Sequence, residues 1–487
     1  LRFLARIVVM ARTSRTDHDG ADASTRCPVC PRRTGPEKEV LPMRARRGAR
    51  LRLAALLGAA AVAASVVAGC GSGDGGEVVL RFYTAADAAT QYAQAAADCT
   101  DAAGGAYRIE QLTLPRQADD QRLQLARRIV GDDETLDIML LDVTWTAEFA
   151  EAGWALPFPE RDASQVRDGT LDTAFETGTW QDRLYGAPLN TNTQLLWYRS
   201  DLMPDGQPPE TWDEMIDMAE DLAAQDRPSW IEVQAAQYEG LTVWFNTLLT
   251  SAGGSVLGED GTTVILDEGN AAQRALEIMN RVATTDGADP SLSQRDEGTA
   301  RLAMESGEAA FQVNYPFVLP GIAENNGGSF LDEQGNPTGE DTGRRVQDAF
   351  EWAPFPSTDP GRPASVTIGG FNLAVSSTSR YPDQAFDAIQ CLRNRDNQLR
   401  NAVEGGVPPT LEALYTDPAF QEEYPAWEAI KQSLDNASVR PESPAYQSIS
   451  IVLSAALNPP GEINPDAMVD DLAEQVERAV NSEGLVP

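Results

Sequence analysis

Histidine, the side chain best suited to moving a proton near neutral pH, occurs once in these 487 residues, as His18. Cysteine occurs five times, as Cys27, Cys30, Cys70, Cys99 and Cys391. Cys27-Pro-Val-Cys30 has the spacing of half a zinc site, but a tetrahedral site needs four ligands and only His18 lies near it. No metal and no cofactor is expected. Downstream of His18 there is no histidine, which excludes Ser-His-Asp and Cys-His catalysis there. Among common hydrolytic schemes only a pair of carboxylates survives.

Cys70 has a different setting. Met43 opens a basic run, Arg44-Ala-Arg-Arg-Gly-Ala-Arg-Leu-Arg52, followed by the apolar stretch 53–68 and then Gly69-Cys70. These are the three regions of a secretory leader in order. At about 16 residues the apolar stretch is short for a membrane span. Val67-Ala-Gly-Cys70 is similar to a lipobox, whose cysteine is acylated and becomes the first residue of the mature chain. Gly71-Ser-Gly-Asp-Gly-Gly76 has no apolar residue to bury and suits a tether. Residues 1–69 are thus expected to be an upstream extension and leader, and 70–76 an anchor and tether outside the cytoplasmic membrane. In such an oxidising compartment Cys99 and Cys391 are expected to pair; the alternative is two inert buried thiols.

Charge divides the chain at the same place. Residues 1–69 hold 13 Arg and Lys against 5 Asp and Glu, a net of +8, whereas the whole chain is at −36 and the remainder therefore at −44. So much negative charge repels nucleic acid phosphates and anionic lipid head groups, so no nucleic acid partner is expected. It also keeps a secreted protein soluble.

The remainder is longer than a single hydrophobic core usually supports, so two lobes are expected. Its pattern starts with an apolar run at 77–83, a helical stretch at 90–100, a second strand at 107–114, a helix at 119–130 and the run Asp137-Ile-Met-Leu-Leu141. Strand and helix in alternation imply a parallel sheet covered on both faces, and ligands of such sheets sit beyond the carboxyl ends of strands. Asp142 stands at such an end. A crossing into a second lobe is expected around 184–198, and a return at Ala309–Pro316.

Several ordered segments resemble the extracellular solute-binding proteins of the maltose-binding type: Leu184-Tyr-Gly-Ala-Pro188, Pro209-Glu-Thr-Trp-Asp213, Ala303-Met-Glu-Ser-Gly-Glu-Ala-Ala310 and Pro354-Phe-Pro356. Thr191-Asn-Thr-Gln-Leu-Leu-Trp-Tyr198 resembles, more narrowly, the trehalose-binding lipoproteins of mycobacteria. The resemblance implies an α/β, two-lobed periplasmic-binding-protein-like fold with a multi-strand hinge and a ligand cleft between the lobes. It divides the chain into one lobe of 77–188 and 314–370 and another of 189–313 and 371–487. It implies a monomer that captures a disaccharide, trehalose, for an ABC permease and ATPase, without chemistry of its own.

The resemblance also implies the site. A disaccharide presents many hydroxyls and weakly apolar ring faces, which carboxylates, amides, arginine and an aromatic plate satisfy. Asp142 and Glu297 would accept from hydroxyls, Asn192 would donate and accept, Arg440 would donate, and Tyr315 would be the plate, where close relatives carry Trp. Gly370, with Gly369, would let bare backbone approach; Trp244, Asp87, Thr84 and Glu239 are further candidates, Glu239 and Asp87 being expected in solvent. Maltose or another small oligosaccharide is the alternative ligand. The alternatives of another class are a lipid-anchored glycosidase, with Asp142 and Glu297 within roughly 5 to 9.5 Å as acid and base, and an adhesin lacking any enclosed cleft.

Overall fold

Ile138-Met-Leu-Leu141 shows how the sequence builds the first lobe. All four side chains are buried, Ile138 and Leu140 in a core on one face of a sheet, Met139 and Leu141 in a second core on the other. The alternation is that of a strand covered on both sides, and each such side chain contributes about 2 kcal/mol by leaving water. The computed structural model describes residues 77–86, 89–324 and 328–482. The leader, Cys70 and its tether, the Cys27–Cys30 pair and Asp87 lie outside the described residues.

Nine strands form two main sheets: β1 (Val79–Thr84), β2 (Arg108–Thr113), β3 (Ile138–Asp142), β4 (Ala187–Asn192), β5 (Leu195–Arg199), β6 (Trp230–Glu232), β7 (Ala309–Asn314), β8 (Phe350–Pro354) and β9 (Gly369–Val375). The first sheet has the order β2-β1-β3-β9-β4, with β1 parallel to β2 and β3 and with β9 antiparallel to both β3 and β4. The second has the order β8-β5-β7-β6, with β5 antiparallel to β8 and β7 and with β6 parallel to β7. It too has a core on each face: Leu196 and Tyr198 point into one, Leu195 and Trp197 into the other.

The helices that bear on the site are α1 (Ala89–Ala102), α2 (Ala118–Val130), α3 (Glu239–Ser251), α4 (Glu297–Ser306), α5 (Pro382–Leu392) and α6 (Tyr446–Leu457). Cys99 on α1 and Cys391 on α5 are joined in a disulfide, with Cα atoms 5.8 Å apart and a sequence separation of 292. It fastens two helices on the same face of the first sheet.

The strands divide the chain differently from the expected division. β8, at 350–354, pairs with β5 in the second sheet, although 314–370 was assigned to the first lobe. β9 and α5 belong to the first sheet and its core, although 371–487 was assigned to the second lobe. The return crossing is likewise not at 309–316: β7 pairs with β5 and β6, so the chain stays in the second lobe until after β8. An apolar strand ending in a proline turn reads the same whichever sheet receives the next strand, which is why local pattern misplaced it. Among the described residues the chain passes between the lobes after Asn192, between Pro354 and Gly369, and after residues 408–412, which still bond to β4 and to residues 169–171.

Candidate functional site

Asp142 is the last residue of β3, and the chain leaves the sheet there in a short 3-10 turn, Val143–Trp145. Its Oδ1 accepts from Thr144 N at 3.0 Å and Thr144 Oγ1 at 2.8 Å, capping the turn and fixing the rotamer. The same oxygen accepts from Arg440 Nη2 at 3.1 Å. Arg440 has a side chain only 3 % exposed, and its Nη1 donates to Glu239 Oε1 at 2.6 Å.

Glu239, the first residue of α3, was expected in solvent and is instead the centre of a buried network. Its side chain is 11 % exposed; Oε1 also accepts from the Tyr446 hydroxyl at 2.6 Å, and Oε2 accepts from Ser450 Oγ, both on α6. A carboxylate at a helix start also meets the positive end of the helix dipole. Burial raises the Glu239 pKa, and the Arg440 charge offsets only part of this. For Arg440, burial acts downward, but the charges around it, Asp142 foremost, raise the pKa overall and keep it a cation.

A second pair is held by Asn314, which is fully buried at the end of β7. Its amide nitrogen donates to the Glu297 carbonyl at 3.0 Å and its oxygen accepts from Tyr315 N at 2.9 Å. One side chain thereby sets the start of α4 against the aromatic that follows β7. Glu297 is not the cap of α4; Asp296 takes that role, accepting from Thr299 N at 2.8 Å, and this leaves the Glu297 carboxylate for other contacts. Burial, then the nearby Glu297 charge, raises the Tyr315 pKa, so this ring carries a neutral hydroxyl. Tyr238 also reaches this corner, and Gly240 makes room for it: a Cβ there would lie 2.2 Å from the Tyr238 oxygen.

The first lobe supplies the opposite wall. Asn192 ends β4, its Oδ1 accepting from Thr193 N at 3.1 Å, and Gly369 and Gly370 of β9 lie in register with Asn192 and Thr191. Gly370 has φ +129°, and a Cβ on it would fall 2.2 Å from the Asn190 carbonyl oxygen, so the close pairing of β9 with β4 requires glycine.

Asp142, Asn192, Glu297, Tyr315, Gly370 and Arg440 all line one cleft of about 520 Å³ between the two sheets. Asn190, Tyr238, Arg116, Arg301 and Glu404 line the same cleft and were not among the residues expected from the sequence. Two further candidates do not line it. Trp244 is 0 % exposed and packs against Trp212, ring centroids 6.0 Å apart, in the core of the second lobe. Almost every residue of α3 is buried, so helical periodicity alone could not tell its cleft face from its core face. Thr84 is also fully buried, with its hydroxyl accepting from Gln111 Nε2 at 2.5 Å.

The donors gathered on Asp142 hold its carboxylate in one orientation at the cleft wall. A cleft lined by carboxylates, amides, tyrosines and arginine is a binding site for a polar solute with hydroxyls to donate and accept.

Comparison with known proteins agrees. The model of the bacterial extracellular solute-binding protein family matches residues 115–399. A probable ABC transporter-binding protein of Deinococcus radiodurans is 24% identical over 364 residues, 72% of this chain and 80% of its own length. Among solved structures, maltose-bound MalE3 of T. maritima superposes with a TM-score of 0.70 at 23% identity, over 83% of this chain and 99% of that one. The GacH receptor of Streptomyces glaucescens, solved without ligand and with acarbose, gives a TM-score of 0.69 at 19% identity, over 84% of this chain and all of that one. With the family model matched over more than half of its length and the two-lobed fold of these receptors, the chain belongs to the bacterial extracellular solute-binding proteins, which bind a solute and do not transform it.

Proposed function

We propose that this chain is the receptor of an ABC sugar importer, held outside the cytoplasmic membrane through an acylated Cys70, and that it captures a disaccharide, trehalose, for a permease and its ATPase. The observation that carries the reading is the convergence of Asp142, Asn192, Gly370, Glu297, Tyr315 and Arg440 on one cleft fed by both lobes. A ligand bonded to both walls favours the closed arrangement of the lobes by its differential contacts, and that closure is what a permease can sense. The sugar named for T. maritima MalE3, maltose, and the acarbose of the GacH receptor support a carbohydrate ligand, and they favour maltose or another small oligosaccharide as the second reading.

Calorimetric titration of the chain from residue 71 onward with trehalose, maltose and glucose tests it. Residues 74–487 form one compact unit, so this fragment keeps the whole cleft. Saturable binding of trehalose, recovered unchanged, is expected. Binding of maltose alone keeps the receptor and discards trehalose; no heat with any sugar discards the sugar reading. Anchoring is checked in cells: Cys70→Ala is expected to move the protein from the membrane fraction to the medium.

A further inference from the structure

Asn190 is 3 % exposed and lines the cleft, yet its Oδ1 has no hydrogen-bond partner among the described residues. Its Nδ2 donates to the Thr191 carbonyl at 3.1 Å. This bond fixes the amide: the flipped orientation would set Oδ1 against that carbonyl, acceptor facing acceptor. The strand is held on both sides, Asn190 pairing with Phe371 of β9 and bridging to Pro409, so the side chain cannot turn away with its backbone. Asn190 and Asn192 are two residues apart on β4 and therefore share a face; both line the cleft, and Thr191 between them does not. Leaving a buried acceptor unpaired is costly, and natural proteins retain few.

We infer that Asn190 is a selectivity residue of the cleft, its Oδ1 accepting one particular hydroxyl of the bound sugar. The inference rests on the carbohydrate reading above. Oδ1 is an acceptor only, so it rejects a ligand that places an ether oxygen or a bare carbon at that point. A site built to bond a hydroxyl discriminates strongly against the analogue lacking it, because its own polar group is then left unpaired.

The test is a titration of the wild-type fragment from residue 71 and of Asn190→Leu with whichever sugar the wild type binds and with each monodeoxy derivative of that sugar. In the wild type one derivative is expected to bind about 10- to 100-fold more weakly than the parent. In N190L the parent is expected to weaken by a similar factor and to bind no better than that derivative. The ratio of parent to derivative within one variant is insensitive to a general loss of stability. Asn190→Ala, which cannot crowd the strand, gives the same ratio should N190L not fold. A ratio unchanged from wild type in both variants overturns the assignment and leaves the carbohydrate reading standing, whereas a wild type that binds no sugar overturns both.

Discussion

Asp142 and Glu239 belong to different lobes and share one cation: Arg440 bonds the first at 3.1 Å and the second at 2.6 Å. The guanidinium therefore ties the end of β3 to the start of α3. Arg440→Met leaves two carboxylates in the interior with nothing to balance them, and the expected loss is about 3–5 kcal/mol of stability together with sugar binding. Adding Glu239→Gln to that variant is expected to recover much of the stability and none of the binding. Chemical denaturation and calorimetry on both variants separate the two effects.

Gly370→Ala is expected to cost at least about 2 kcal/mol, because it combines a positive φ with a Cβ 2.2 Å from the Asn190 oxygen. Its melting temperature should fall and its sugar affinity should fall with it, since Asn190 must shift. A variant as stable as wild type would mean that β9 and β4 do not pair so closely.

Reduction of the Cys99–Cys391 bond, or its replacement by two alanines, is expected to remove about 2–5 kcal/mol. The bond spans 292 residues, so its main action is on the unfolded chain. Melting of the two forms under non-reducing conditions measures the difference.

Glu232 is fully buried on β6 beside Asp289, with Arg295 Nε 3.2 Å away. Burial raises its carboxyl to about 9, and Arg295 only partly offsets this. The folded protein holds a proton there that the unfolded chain releases near pH 4.5, so stability falls as pH rises from about 4.5 to about 9. Melting temperatures across that range should decline less in Glu232→Gln than in wild type. Equal slopes would sink the assignment of the buried proton to Glu232.

How much of this was legible in the sequence depended on how local each feature is. The runs at 77–83, 107–114 and 137–141 became β1, β2 and β3 within two residues at either end, because apolar patterning carries its own signal. Which sheet a strand joins is settled by a partner far away, and so β8 and residues 371–375 of β9 were assigned to the wrong lobes. Glu239 was misread for the same reason: a lone glutamate reads as solvated, and the arginine that permits its burial lies 201 residues further on. Asn190 was within reach, since a strand that presents Asn192 to the cleft presents Asn190 to it as well.

The position of β9 has a consequence for how the molecule comes into being. The strand lies between β3 and the edge strand β4, so the first sheet has a gap beside that edge until residues 369–375 have emerged. Chains are made from the amino end, and a lobe usually folds once its own residues are present. Here the first lobe to be synthesised is the one that must wait, with β3 and β4 kept apart while the residues of the whole second sheet are made. A fragment cut between residues 193 and 368 would thus leave the facing edges of β3 and β4 unpaired, and such edges are templates for aggregation. The same delay would keep the chain threadable for export until its last quarter had appeared.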